Sequence, residues 1–254
     1  MLSRLIRQIL FVFLHLIVSV LVAIQNVYYR LCIKMSNLPK NQTVNTEVMT
    51  VLEHVPLITK EIKHLVVLVN TDHHTLTDLA RIVIWSLVFG ISYISFHDIT
   101  GQLQKNEEKL FIEVERQKKG IPGCIKWSNK PNLNGYTNGI QANTISVNIL
   151  SYNNGRPKLI KFLQQISQDK ALCQRNSDEY TSQELDSTLK TMYPKIPDPN
   201  LVLYSGPVCS TYGLLPWHIR LTEFIQLSVD HSINVNNYLL ALYKYNKCDL
   251  RFGK

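Results

Sequence analysis

Residues 64–96 read HLVVLVNTDHHTLTDLARIVIWSLVFGISYISF. His64–Val69 is a short, apolar, β-branched run, the pattern of a strand buried on both faces of a parallel sheet. Thr75 followed by Asp78 predicts a capping box. Leu79–Phe89 predicts a strongly apolar helix, and Gly90 its stop. Ile91–Phe96 is the next strand. Strand, helix and strand in such close succession are the signature of a parallel crossover.

Downstream, Gln104–Lys119 is charged, with a helical apolar face and no strong burial signal. Gly120–Gly139 is rich in Gly, Pro and Asn and predicts a loop. Thr144–Leu150 is a third strand, Asn153–Gly155 a turn, and Pro157–Cys173 an amphipathic helix with its proline near the first turn. Ser182–Met192 predicts a short helix. Pro194, Pro197 and Pro199 then lead into a buried strand at Leu201–Tyr204. Trp217–Leu227 mixes strand and helix signals, and Asn234–Leu250 is a final helix. The alternation predicts an α/β fold with a mainly parallel central sheet flanked by helices.

Upstream, Ile9–Ile24 reads ILFVFLHLIVSVLVAI, interrupted only by His15 and Ser19. Extended to Tyr28-Tyr29, the run reaches the ~20 residues that cross a bilayer. Arg4 and Arg7 flank one end, Arg30 and Lys34 the other, and the tyrosines sit where an interfacial belt would be. It is longer than a signal-peptide core and no small-x-small cleavage site follows, so it reads as an uncleaved transmembrane helix. Residues 1–34 are thus expected to form an anchor, 35–60 a polar linker, and 61–254 the globular domain. The flanking charges leave orientation open, and a sequon at Asn41-Gln42-Thr43 lies close to the membrane. The five cysteines are odd in number and none pairs at metal-ligand spacing, which favours a reducing, cytosolic side for the domain.

The net charge of +8 favours anionic partners. The basic residues are scattered, which reads as solvated surface rather than a nucleic-acid footprint. In open α/β sheets chemistry gathers at the carboxyl ends of strands. Here the first strand ends in Asn70-Thr71-Asp72 with no Gly-rich phosphate loop, and no G-x-S-x-G elbow occurs anywhere. Asp72, His73 and His74 read as a catalytic cluster or, more economically, as a polar loop leading into the next helix. His97-Asp98 reads as half a metal site or as a strand end. Ser205 has no evident base partner. The residues alone describe an enzyme scaffold whose active site is missing.

Against that background, several stretches resemble the cis-prenyltransferases. HLVVLVNTD (64–72) sits where that family has a strand ending in Asp-Gly-Asn, and DLARIVIWSLVFGISYISFHDITG (78–101) looks like the helix-strand unit that follows. PDPNLVLYSGPVCSTYGLLPWHIRLTEFIQL (197–227) resembles the family's second block, with Ser205-Gly206 at its serine-glycine pair. LLPWHIRLTE (214–223) with RFGK (251–254) resembles one branch, the Nogo-B receptor family, which is the non-catalytic partner of the eukaryotic dehydrodolichyl diphosphate synthase. The resemblance covers residues 60–254, and the N-terminal anchor fits it.

The departures are equally informative. Asn70 takes the place of the metal-binding aspartate, and a neutral amide holds Mg²⁺ poorly. Thr71 replaces the glycine, and the phosphate-clamping arginines after it are missing. Leu203 and Pro207 fall where the family has arginine and glutamate, and a further arginine would fall near Cys209. The resemblance therefore implies a subunit inactive alone. Its C-terminal R-x-G tail, Arg251 and Gly253, would complete the partner's active site in trans by contacting substrate, while the partner holds Mg²⁺. Arginine supplies bidentate donors to phosphate, and glycine lets a backbone N–H approach closely. Lys244 and Lys247 are accounted for by a helix C-terminus.

The implied reaction condenses isopentenyl diphosphate with farnesyl diphosphate into long polyprenyl diphosphate for dolichol synthesis and protein glycosylation. The implied setting is a heterodimer or larger assembly at the endoplasmic reticulum membrane, single-pass, in contact with lipid. The apolar, aromatic segment around Trp217, Ile219, Phe224 and Ile225 is expected to meet the partner or, alternatively, to be core. A membrane receptor or scaffold without a catalytic role is the competing reading, and a phosphate-binding tail distinguishes the two. An independent hydrolase would need a nucleophile-base pair that the sequence does not display.

Overall fold

The structure, a computed structural model, describes residues 2–36, 43–128, 130–134, 143–168, 181–191 and 196–249. The chain divides into two compact units, 1–41 and 42–254.

The first unit contains a single long helix, α1 (Leu2–Ser36). Its described apolar side chains are open to the surroundings: Phe11 and Val12 are 65% and 64% exposed. Among the described residues no helix is long and apolar enough to cross a membrane.

The second unit is built on a sheet in the order β4-β3-β5-β2-β1-β6-β7. The strands are β1 (His64–Val69), β2 (Tyr93–Asp98), β3 (Cys124–Trp127), β4 (Lys130–Asn134), β5 (Thr144–Ser151), β6 (Leu201–Ser205) and β7 (Glu223–Ser228). All ladders are parallel except β3–β4. β1 pairs with β2 on one side and β6 on the other, and all six of its residues are buried. Its alternation divides two cores. Leu65, Val67 and Val69 join the main cluster, and Val66 and Leu68 the second, with Leu150, Val202, Leu214 and Leu215.

The expected crossover helix is α3 (Leu76–Phe89). The Thr75/Asp78 capping box is formed, with Asp78 N–H donating to Thr75 Oγ1 at 3.2 Å, and Gly90 ends the helix at φ 96°. Trp85, Ile82 and Leu79 of α3 are fully buried, each burial stabilising by ~1.5–3 kcal/mol.

Five expectations are corrected. Residues 44–60 are not a linker: α2 (Val44–His54) packs on α3, with Val51 fully buried. Its one buried carboxylate, Glu47, accepts from Trp85 Nε1 at 3.2 Å, so a helix that looks polar in sequence fits the core. The charged segment forms α4 (Gln102–Lys105) and α5 (Glu107–Lys118), and α5 buries Leu110, Phe111 and Val114. The predicted loop at 120–139 contains β3 and β4. Pro131 disguises β4, yet β4 is an edge strand, where a missing N–H is tolerated. Gly123, at φ 114°, is required there, because a Cβ would lie 2.9 Å from Leu87 Cδ1 and 3.0 Å from the Asn143 carbonyl. The mixed segment resolves as β7. Finally, α7 (Ser182–Lys190) and α8 (Val235–Asn246) are shorter than the runs that predict them, while α6 (Arg156–Gln168) matches its run as far as the described residues go. Residues 169–173 of the α6 run lie outside the described residues.

Candidate functional site

The carboxyl ends of β1, β6 and β7 meet in one place. After Val69 the chain closes on itself. The Asn70 carbonyl accepts from the N–H groups of His73 (3.1 Å) and His74 (2.9 Å), and the Asn70 side-chain oxygen accepts from Asp72 N–H at 3.0 Å. The Asn70 N–H donates to His74 Nδ1 at 3.2 Å, which puts the neutral ring's proton on Nε2, a buried atom with no partner. Burial, then the neighbouring His231 and His73, lowers the His74 pKa to about 4. The His73 and His231 rings stack at 4.3 Å, and His74 lies 5.8 Å from His231.

The β6 end turns at Gly206, φ 94°, whose N–H donates to the Ser228 carbonyl at 2.8 Å and whose carbonyl accepts from Gln226 Nε2 at 2.8 Å. A Cβ on Gly206 would lie 3.0 Å from His231 Cε1 and 3.1 Å from its Nε2. His231 has φ 60°, an uncommon backbone for a non-glycine residue. Burial and His73 push its pKa down, with Asp230 opposing. The space beside the Ser205-Gly206 pair is therefore filled by an imidazole of the same chain.

These residues do not fit Mg²⁺. Asp72 is the only carboxylate of the Asn70–His74 loop, and the amide and imidazoles beside it are poor ligands for a hard cation; among the described residues no group of three His, Cys, Asp or Glu is placed to hold a metal. The Asp72-His73-His74 stretch is thus a helix-entry loop that also packs on the β7 exit. His97 and Asp98 are likewise structural. His97 Nε2 donates to the Tyr212 carbonyl at 3.2 Å. Asp98 accepts from Thr100 N–H, Thr100 Oγ1 and Leu103 N–H at 2.9, 2.7 and 2.8 Å.

The four residues expected at a partner surface divide. Ile225 is buried in the main core and is not available to a partner. On the other face of β7, Phe224 is partly buried against the second cluster, as is Ile219. Trp217 is half-buried, its Nε1 donating to Asp186 Oδ1 at 2.9 Å, with the Arg220 guanidinium 5.2 Å over its ring. Asp186 also bonds Arg220 and Lys190, each at 2.8 Å, tying α7 to this segment. Sequence reading missed Asp186, because only tertiary contact brings it to Trp217. It also missed Leu221, 58% exposed beside this segment.

Arg251 and Gly253 lie outside the described residues. Their point of departure is fixed. Lys60 N–H donates to Asn246 Oδ1 at 2.9 Å, and Lys60 Nζ donates to the Cys248 carbonyl at 2.8 Å and stands 4.1 Å over the Tyr245 ring. Lys60 just precedes β1, so the end of α8 is held at the amino ends of the strands, opposite the histidine cluster.

No protein-family model matches the chain. It is 35% identical over 181 residues to the human dehydrodolichyl diphosphate synthase complex subunit NUS1, covering 70% of this chain and 61% of that protein. The mouse subunit is 34% identical over 193 residues, covering 75% and 64%, and the Saccharomyces cerevisiae subunit 29% over 202 residues, covering 70% and 53%. The chain thus spans somewhat under two thirds of the length of these curated relatives. Among solved structures, lavandulyl diphosphate synthase from Lavandula x intermedia, in complex with dimethylallyl diphosphate, superposes with a TM-score of 0.54 at 13% identity, covering 76% of this chain and 98% of that one. At that identity the likeness is one of fold. The chain therefore has a cis-prenyltransferase-like α/β fold, and in sequence it is a relative of the NUS1 subunits of dehydrodolichyl diphosphate synthase complexes.

Proposed function

We propose that this chain is the accessory, catalytically incomplete subunit of a heteromeric cis-prenyltransferase that extends farnesyl diphosphate with isopentenyl diphosphate for dolichol synthesis. The observation that carries the reading is His231 packed against Gly206, above an Asn70 loop that uses its own polar groups. The strand ends where an α/β fold places its chemistry are closed here, and the donors present do not suit Mg²⁺. In the reaction the allylic C–O bond breaks, the cation adds to the isopentenyl double bond, and a proton leaves. The partner subunit holds Mg²⁺, which stabilises the departing diphosphate.

Arg251 and Gly253 act in trans in this reading. Trp217, Ile219 and Phe224, with exposed Leu221, form the partner-facing segment, and Ile225 supports it from the core. The exposed apolar surface of α1 and its basic flanks support a single-pass anchor in the endoplasmic reticulum membrane with the domain in the cytosol.

The test is incorporation of radiolabelled isopentenyl diphosphate by the chain alone, with the catalytic subunit, and as Arg251→Ala with that subunit. No activity alone, activity together and a loss of at least ~10²-fold in the variant are expected, the scale for removing a charged group that acts in a transition state. Full activity of the variant in an intact heterodimer would favour a scaffold instead.

A further inference from the structure

α2 and α8 lie side by side over the main core. Val51 of α2 and Leu239 and Leu242 of α8 are buried in it. The His54 and Tyr243 rings meet edge-on at 5.8 Å. Deeper in, Trp85 joins the two helices, donating to Glu47 and standing 5.4 Å from the Tyr238 ring. The outward residues of both helices therefore share one face of the domain.

Four large apolar side chains stand on that face. Met49 and Leu52 are on the outward side of α2, Leu57 on the turn that follows it and Leu240 on α8, each between 47% and 58% exposed. Glu53 is the only exposed carboxylate of α2. Lys244 and Lys247 follow Leu240 by one and two turns on the same side of α8, and their ammoniums have no partner among the described residues. The helix macrodipole accounts for cations at this end, but not for the apolar side chains beside them. Apolar groups bracketed by lysines suit a membrane interface, where side chains enter the headgroup–acyl boundary and ammoniums reach the headgroups.

Two further observations choose the lipid surface over a protein. The chain from Ser36, the end of α1, to Thr43, where α2 begins, spans at most ~25 Å. With α1 as the membrane anchor, the reading on which this inference rests, α2 stays in the neighbourhood of the bilayer. So short a tether supplies an effective concentration in the millimolar range, enough for a face that would bind weakly by itself. The segment proposed to meet the catalytic subunit packs on the second cluster, whereas α2 and α8 cover the main core on the other face of the sheet. We propose that the α2–α8 face docks on the lipid bilayer, with Met49, Leu52, Leu57 and Leu240 at the headgroup–acyl boundary and Lys244 and Lys247 on anionic headgroups. Docking fixes the orientation of the domain on its anchor.

The sequence holds four methionines, and two of them read the two membrane contacts separately. The full chain, methyl-labelled at methionine for NMR, is placed in nanodiscs of phosphatidylcholine and phosphatidylserine that carry a lipid spin-labelled just below its headgroup. Met35 of α1 reports the anchor and Met49 the docked face, assigned through Met35→Leu and Met49→Leu. Broadening of both methyls is expected, and it should persist when the catalytic subunit is added. Leu52→Gln with Leu240→Gln keeps good helix formers at surface positions. Lys244→Gln with Lys247→Gln removes the cations, each worth ~5-fold in the docking equilibrium. In either double variant the Met49 broadening is expected to fall severalfold with that of Met35 unchanged. A sharp Met49 beside a broadened Met35 would overturn the docking and leave the anchor standing, while two sharp methyls would overturn both. Met49 broadening that survives both double variants would also overturn the assignment. So would broadening that vanishes when the catalytic subunit binds, which would give this face to the partner.

Discussion

Gly206→Ala is the most direct test of why this chain keeps glycine at the end of β6. A side chain at φ 94° costs ~1–2 kcal/mol in backbone strain. The new Cβ would lie 3.0 Å from His231 Cε1, so the imidazole must leave its rotamer, at ~0.5–1.5 kcal/mol. The lower backbone entropy of unfolded alanine returns ~0.4–1 kcal/mol. The net expectation is a loss of about 2 kcal/mol. Only the steric part depends on His231. His231→Ala should therefore rescue about 1 kcal/mol of the Gly206→Ala loss, appearing as a coupling energy in a double-mutant cycle. The assay is urea denaturation of the full chain in detergent micelles, read by tryptophan fluorescence. Strictly additive effects would refute the claim that an imidazole occupies the space beside this glycine, and with it the physical account of the closed strand ends.

Three further outcomes are expected. His64 and His74 are held near pKa 4 by burial, against an ordinary 6.5. The unfolded chain therefore takes up protons first as pH falls, and stability is full above pH 6.5 and drains towards pH 4. Urea midpoints between pH 7.5 and 4.5 should register about 2 to 3 kcal/mol of loss for each histidine, and a flat profile would contradict their buried, neutral state. Lys60→Met removes the cation from the Cys248 carbonyl and the Tyr245 ring. It should cost this chain about 1 kcal/mol but lower the complex's prenyl transfer severalfold, and unchanged transfer would detach the tail's anchorage from its role. Leu221→Asp should weaken heterodimer formation in co-purification without shifting this chain's urea midpoint. Phe224→Asp is a poorer test, because Phe224 packs on the second core cluster and its loss destabilises the subunit itself.

The crossover unit was legible because its signals are local and mutually consistent. β-branching, a capping box and a glycine stop all lie within 64–96, and each does in space what its chemistry requires. The identity of the strand-end residues was legible too: the Leu203 and Pro207 side chains can bind neither phosphate nor metal wherever the chain places them, and Asn70 brings no charge to hold Mg²⁺. What lay beyond sequence depends on distant partners. Glu47 makes α2 look like a linker until Trp85 and Arg81 come to meet it. β4 looks like a loop until its edge position excuses Pro131. Phe224 and Ile225 are adjacent in sequence and equally apolar, yet the pleat sends them to opposite faces of β7 and gives one to each core. The histidine cluster joins residues from two loops more than 150 positions apart, and no spacing rule connects them. Composition and local pattern determined the α/β scaffold and which residue types stand at its strand ends. Only tertiary packing decided what lies beside them, His231 against Gly206, because that depends on which loops the sheet order brings together.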